Sequence, residues 1–393
     1  MDQRAFHHRP SLAPVIRQPA PHPPQYGFRP RTFLCQRVGN IPFQTPAPQG
    51  RGPGDYDAPV VAISPDPIDA VCLGETMVQL TPVPGGRLDG GSPLDMRPGG
   101  AESNVAMGLA RLGHRASWCG RVGTDPLGEL LLSELTGAGV DTSLVARDPE
   151  RPTGVYFKDP APGGSSVYYY RAGSAASGMD TDTGDAALAA GPRLIHLSGI
   201  TPALSDSCRA LVEGLLGERP PGGPLVSFDV NHRPTLWRRD AAPELLRLAR
   251  AADVVFVGLD EAQQLWGVAD AAGVRELIGA PACLVVKDGA TEAVCFDGDA
   301  VVAEPTPPVE VVEPVGAGDA FASGWLSGLL RGLDHGARLR LGHLIAGTAL
   351  RSTGDHGPLP DVDTICERTG IPRARWAEGS RPRLAPHTTG GRA

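Results

Sequence analysis

Gly316-Ala317-Gly318-Asp319, running straight into Ala320-Phe321-Ala322-Ser323-Gly324-Trp325-Leu326, is the stretch on which the reading of this chain turns. Glycines let a backbone approach an anion closely, amides at the start of a helix point toward it, and the helix dipole adds a favourable field. A carboxylate there stands beside the very charge it should avoid. Asp319 therefore needs a task, and taking a proton from a hydroxyl that attacks phosphorus is the chemistry that fits. Taken alone, the four residues also read as a plain Gly-Asp helix cap. The rest of the chain decides between the two.

Between residues 67 and 372, apolar runs alternate with helical patterns. Strands are expected at 70–74, 194–198, 225–230, 254–257 and 282–287, and helices at 104–112, 129–136, 203–216, 243–251, 319–330 and 337–351. Runs so uniformly apolar are buried on both faces, and strand–helix alternation predicts an α/β fold, a three-layer α/β/α sandwich around a mostly parallel sheet. Ligands on such sheets collect beyond the carboxyl ends of the strands. Two aromatic segments break the alternation. Gly154-Val155-Tyr156-Phe157-Lys158 and Ser166-Val167-Tyr168-Tyr169-Tyr170-Arg171, joined by the turn-rich Asp159-Pro160-Ala161-Pro162-Gly163-Gly164, read as a hairpin that could join 77–81 in a small separate sheet. Period-two alternation puts Tyr169 and Arg171 on one face. Such tyrosines either pack or bind, and an arginine beside them favours a planar contact with a carboxylate.

Composition removes several rival classes. A net charge of −8 leaves no basic stripe for nucleic acid. Lys158 and Lys287 are the only lysines, and neither is followed by the Ser or Thr of a Walker A loop. No Gly-x-Gly-x-x-Gly follows a strand, so dinucleotide chemistry lacks its usual mark. The cysteines, at 35, 72, 119, 208, 283, 295 and 366, are odd in number and scattered, without a C-x-x-C pair, and read as reduced thiols of a cytoplasmic protein. No run reaches the ~18 apolar residues of a membrane span, and the N-terminus lacks a signal peptide's apolar core.

Residues 1–66 are a different material. Prolines at 10, 14, 19, 21, 23, 24, 30, 42, 46, 48 and 53 punctuate a stretch without periodicity, which predicts a disordered arm. It reads either as a partner-binding arm or as the product of a start codon set too far upstream. Residues 373–393, rich in arginine, read as a second disordered tail.

The Gly316–Asp319 tetrapeptide resembles the C-terminal signature of the ribokinase-like, or PfkB, carbohydrate kinases. Their N-terminal signature is matched by Gly99-Gly100-Ala101-Glu102-Ser103-Asn104 with Gly113 and Gly123 following, in the right order and at family-like separation. The resemblance covers residues 67–372 and implies a β-sheet lid, here about 75–98 and 152–176, that covers the sugar and often forms a dimer contact. Tyr169-Tyr170-Arg171-Ala172-Gly173-Ser174-Ala175 and Phe228-Asp229-Val230-Asn231-His232-Arg233-Pro234 are similar to the 2-keto-3-deoxygluconate kinase branch. That likeness implies sugar-acid contacts from Gly99, Gly100, Asn104, Tyr156, Tyr169, Arg171 and Arg233, with Asp319 as general base. An ion pair with Asp229 or another acid is the other reading of Arg233. It also implies ATP and magnesium, with Lys287, Gly289, Gly316 and Gly318 near the nucleotide and Glu261 organising the metal through water.

Three positions depart from the family pattern: Gly258 replaces an asparagine, Glu292 a glycine and Glu313 an aspartate. The last acid often helps hold a monovalent cation in relatives, so potassium dependence stays open. The expected activity is phosphorylation of a sugar-acid hydroxyl, with the amides of Ala317, Gly318 and Asp319 stabilising the transferred group. A fructokinase or other PfkB sugar kinase would differ by preferring neutral sugars. A non-catalytic sugar-binding or interaction protein on the same fold would release no ADP with any sugar. Deleting residues 1–60 is expected to leave the melting temperature and activity nearly unchanged, because a proline-punctuated polar segment buries little area; thermal unfolding and an ADP-release assay on the truncated chain check this.

Overall fold

Runs of Val, Leu, Ile and Phe become strands and the small-residue stretches between them become helices. A computed structural model describes residues 68–379, apart from 84–85, 161–164, 218–221, 238–239 and 280; the expected arm at 1–66 and the tail from 380 onward lie outside the described residues. The chain runs β1 (Ala70–Leu73), β2 (Met77–Pro82), β3 (Leu94–Gly99), α1 (Ala101–Arg111), β4 (Ala116–Gly123), α2 (Pro126–Gly137), β5 (Val145–Asp148), β6 (Val155–Asp159) and β7 (Ser166–Tyr170). It continues through α3 (Thr181–Ala189), β8 (Leu194–Ser198), α4 (Thr201–Leu204), α5 (Asp206–Leu216), β9 (Leu225–Asp229), α6 (Ala241–Ala251), β10 (Val254–Gly258), α7 (Leu259–Trp266) and α8 (Ala271–Ile278). It ends with β11 (Cys283–Asp288), β12 (Glu292–Asp297), β13 (Ala300–Pro305), α9 (Ala317–Leu330), α10 (His335–Leu350), α11 (Val362–Thr369) and α12 (Arg373–Ala377).

A nine-stranded sheet has the order β13-β12-β11-β10-β9-β8-β1-β4-β5. It is parallel from β11 to β5, with β12 and β13 added antiparallel at one edge. The strands alternate between two cores: Val71 and Leu73 of β1 face one, Ala70 and Cys72 the other. The first is closed by α3, α5, α6 and α8, the second by α1, α2 and α9, which makes the expected three layers. Every residue of α9 from Ala320 to Leu330 is buried, because the helix lies between the sheet and α10. Trp325 meets Phe256 of β10 edge-on at 5.3 Å. The N-terminus of α9 is thereby held at the carboxyl ends of the strands, where the Gly316–Asp319 loop is needed.

The expected hairpin is present as β6 and β7, paired Val155 to Tyr170, in a second sheet of order β3-β2-β6-β7. Strand β3 is a finding of the structure, since Leu-Asp-Met-Arg-Pro-Gly has no strand pattern and is held by pairing with β2. So is the β12–β13 edge, although Asp297-Gly298-Asp299 is a hairpin turn signal, with Gly298 at φ +56°. The helix expected over 203–216 breaks at Ser205, which is extended and caps α5 through its hydroxyl. The expected tail is also corrected at its start: residues 373–377 are helical, because the Trp376 ring stacks 4.1 Å from the Arg331 guanidinium and the Trp376 carbonyl accepts from Arg331 at 2.8 Å.

Helices α9 and α10 touch through glycine. A Cβ on Gly324 would stand 2.7 Å from the Leu341 carbonyl oxygen and 3.0 Å from the Gly342 Cα, backbone atoms that cannot move aside. Gly324→Val is therefore expected to destabilise the protein by about 2–3 kcal/mol through overpacking. Gly137, at the end of α2 with nothing within 4 Å of a built Cβ, is expected to accept Ala at no cost. Chemical denaturation of the two variants checks the contrast.

Candidate active site

A cleft of about 510 Å³ opens where β9, β10 and β11 end, beneath the small sheet. Of the expected site residues, all but Ala317 and Gly289 border it. Gly289 sits in the β11–β12 turn with φ +46°. The floor of the cleft is the Gly316–Asp319 loop. Gly316 has φ +84°, a left-handed conformation that turns the chain into α9, and the backbone of Asp355 lies against it where any side chain would collide. The pair Gly99-Gly100 is required for space alone. A Cβ on Gly99 would strike the Tyr156 hydroxyl, and one on Gly100 the Glu75 carbonyl.

Asn104 organises the acids. Its Nδ2 donates to Asp319 Oδ2 at 2.9 Å and to Asp355 Oδ2 at 3.1 Å, while its Oδ1 lies 3.2 Å from His356 Nε2. His356 is held neutral, its pKa pushed down to about 4 by burial and then by Arg111. The amide oxygen can only accept, so His356 carries its proton on Nε2 and fixes which way Asn104 faces. Burial pushes the Asp319 pKa up to about 7, with Asp229 and Asp355 adding to the rise and the Asn104 bond opposing it. Asp355 is raised for the same first reason, and its Oδ1 is buried without a hydrogen-bond partner. Sequence reasoning missed Asp355. It lies in Ser352-Thr353-Gly354-Asp355-His356-Gly357, which has no periodicity and no feature tying it to Asn104.

The cations are mostly engaged. Lys287, at the end of β11, pairs with Asp229 at 3.0 Å and stays protonated, since Asp229, Glu261 and Asp319 outweigh its burial. Asp229 is thus taken by Lys287 and is no partner of Arg233. Arg233 bonds to the His232 carbonyl at 3.2 Å, its one hydrogen-bond acceptor among the described residues. It lines the cleft two residues after Asn231, which follows Val230, just past the end of β9, and adopts φ +38°, a conformation asparagine tolerates better than most residues. Arg171 packs over the Tyr169 ring, 5.5 Å from its centre, and pairs with the buried Glu75, which also accepts from Ser174 at 2.8 Å. Any carboxylate that binds Arg171 therefore shares it with Glu75, a partner the sequence did not suggest. Tyr156 donates to Gln79 at 2.7 Å and stacks 5.6 Å from Tyr169.

Glu261 accepts from the backbone amides of His232 and Gly258, and burial followed by the charge of Asp229 lifts its pKa to about 7. Glu313, just before the Gly316–Asp319 loop, is bound by the fully buried Lys158 ammonium at 2.9 Å, by Ser165 at 3.0 Å and by the Val315 amide at 3.1 Å. Lys158 belongs to β6, so this pair ties the small sheet to the loop that leads into α9.

Comparison with known proteins places this geometry. The pfkB family carbohydrate kinase profile matches residues 68–362. The chain is 36% identical over 307 residues to 2-dehydro-3-deoxygluconokinase of Bacillus subtilis, covering 76% of this chain and 94% of that one. It is 35% identical over 308 residues to the enzyme of the same name from Thermoproteus tenax, covering 75% and 91%. A sugar kinase from Pyrococcus horikoshii, solved in complex with ATP, superposes with a TM-score of 0.64 at 26% identity, over 76% of this chain and 97% of that one. Among the described residues no helix is long and apolar enough to cross a membrane. With the fold, both glycine signatures and the match over most of its length in agreement, the chain belongs to the pfkB family of carbohydrate kinases.

Proposed function

We propose that the protein transfers the γ-phosphoryl group of ATP to the 6-hydroxyl of 2-keto-3-deoxygluconate. One observation carries the reading: a carboxylate with its pKa near 7, Asp319, shares a single cleft with Arg171 and Arg233. The two relatives named 2-dehydro-3-deoxygluconokinase support the same substrate class.

Asp319 takes the hydroxyl proton as the oxygen bonds to the γ-phosphorus, and the bond from phosphorus to the β–γ bridging oxygen breaks to release ADP. The amides of Ala317, Gly318 and Asp319, at the start of α9, stabilise charge on the transferring group. Lys287 adds a fixed positive charge beside the loop, 3.5 Å from where a Cβ of Gly318 would stand. Magnesium suits the hard oxygen donors here, with Glu261 in the first turn of α7 and Asp229 at the end of β9 as the carboxylates that would hold its waters. When bound, it would neutralise charge on the ATP phosphates. Arg233 and Arg171 bind the substrate carboxylate, and the small sheet closes over the sugar and excludes water. Tyr168 and Tyr170, 48% and 65% exposed on β7, leave that sheet an aromatic edge for dimer formation.

Replacing Asp319 by Asn keeps its size but removes the base, so turnover is expected to fall by at least ~10²-fold while ATP still binds. In the unaltered protein kcat is expected to drop as pH falls through about 7, where Asp319 takes up a proton. Steady-state kinetics across pH and nucleotide titration of Asp319→Asn check both. Arg171→Lys and Arg233→Lys keep the charge but lose the forked contact, so the KM for 2-keto-3-deoxygluconate should rise about ten- to hundredfold. Fructose and ribose should be poor substrates, little affected by either change; a preference for either over every sugar acid defeats the keto-acid reading and leaves the kinase.

The Lys158 ammonium already occupies Glu313, so phosphotransfer is expected to need no monovalent ion. Equal turnover in potassium, sodium and choline buffers checks this, and Lys158→Met should lower activity in all three.

A further inference from the structure

At the sheet edge remote from the cleft, β11, β12 and α10 bring together a group of side chains that the phosphotransfer reading does not use. Cys283 Sγ and Cys295 Sγ lie 3.1 Å apart, and His335 Nδ1 lies 3.5 Å from Cys295 Sγ. All three ligand atoms fall within 4.8 Å of one another. Both cysteines are buried, and His335 is half-buried at the start of α10. We propose that Cys283, Cys295 and His335 form a binding site for a borderline-soft divalent metal ion, zinc above all, that pins the start of α10 to the β11–β12 hairpin.

Three features support this. The first is spacing. A zinc ion with bonds of about 2.3 Å to sulfur and 2.0–2.1 Å to nitrogen holds its ligand atoms roughly 3.5–3.8 Å apart, so the thiols need only open by about 0.6 Å to receive it. The second is the orientation of the imidazole. His335 Nε2 lies 3.1 Å from Asp297 Oδ2, and an ionised carboxylate only accepts, so the neutral ring that a metal requires keeps its proton on Nε2 and turns the Nδ1 lone pair toward the sulfurs. A carboxylate behind a histidine in this way is the outer support that metal-bound imidazoles usually have.

The third is register. Val285 pairs with Cys295, so Cys283 stands diagonal to Cys295 and next to the row of Asp297. Positions two apart on adjacent strands share one face of the hairpin, so both thiols project to the side on which His335 stands. Charge also balances. Two thiolates neutralise a divalent ion, and Asp297 offsets Arg338, whose charge acts on both sulfurs. The half-buried His335 leaves the ion a solvent side, where water completes a four-coordinate shell.

The test uses the full-length chain, reduced and stripped with a chelator. Titration with cobalt(II) should give the near-ultraviolet charge-transfer absorption of thiolate ligands, and zinc should displace it at one equivalent per chain. Cys283→Ser and Cys295→Ser should abolish the absorption, Asp297→Asn should weaken zinc binding about 10–100-fold, and all three should leave phosphotransfer unchanged. Cys35→Ser and Cys366→Ser should keep the absorption intact. The absence of thiolate absorption in the unaltered protein, a test that needs no variant to fold, would overturn the proposal. So would absorption that survives loss of both Cys283 and Cys295, or a Cys283–Cys295 disulfide forming as fast in zinc-loaded protein as in stripped protein.

Discussion

The side-chain amide of Asn104 is the constraint on which the site depends. One nitrogen carries two protons and gives them to two carboxylates, Asp319 and Asp355, that arrive from segments 215 and 251 residues away. Its oxygen is pinned by a neutral His356, so the amide cannot flip without losing all three bonds. Asn104 stands in the first turn of α1, and α1 packs directly on α9, so the bond joins two helix N-termini that the core already holds together. The arrangement leaves the two acids underpaid: one donor each, in a place where burial favours protonation. A carboxylate in that condition is poised to take a proton near neutral pH, which is what the proposed reading asks of Asp319.

Elsewhere in the cleft the charges are matched in pairs, and the pairs carry mechanical links. Lys158 to Glu313 joins the small sheet to the loop before α9, Arg171 to Glu75 joins the end of β7 to the end of β1, and Lys287 to Asp229 joins the ends of β11 and β9. Both lysines of the chain are spent in this way. Breaking one member of a buried pair leaves the other uncompensated, which costs far more than the pair contributes in place. Each link therefore acts less as a source of stability than as a condition on geometry: the lid, the loop and the strand ends keep the relation that satisfies all three.

What the sequence made legible follows the range of the interactions involved. The Gly316–Asp319 loop, the glycine pair and the central strands are written in local composition, because a left-handed Gly316 or a doubly buried β10 leaves its mark on adjacent residues. The bidentate role expected of Arg171 came from its neighbours Tyr169 and Tyr170, and nothing near it announced Glu75, 96 positions earlier. Asp355 was invisible for the same reason: its partners are set by the crossing of α1 and α9 and by the loop after α10, not by any motif of its own. Strand β3 shows the limit from another side. Its residues have no β pattern, and only hydrogen bonding to β2 makes them a strand.

On the proposed reading the cleft has two chemically distinct ends, and their contrast selects the substrate. Asp319 and Asp355 offer hydrogen-bond acceptors to hydroxyls, while Arg233 and Arg171 offer forks that suit a carboxylate. A neutral hexose satisfies the first end and leaves Arg233 at the second with only the His232 carbonyl, while Arg171 keeps Glu75, so the lid would close over one guanidinium stripped of water. Discrimination of this kind is steep, because a site built to bond a polar group loses that bond and keeps the desolvation cost when the group is missing. A sugar acid carrying its charge at one end and its reacting hydroxyl at the other fills both.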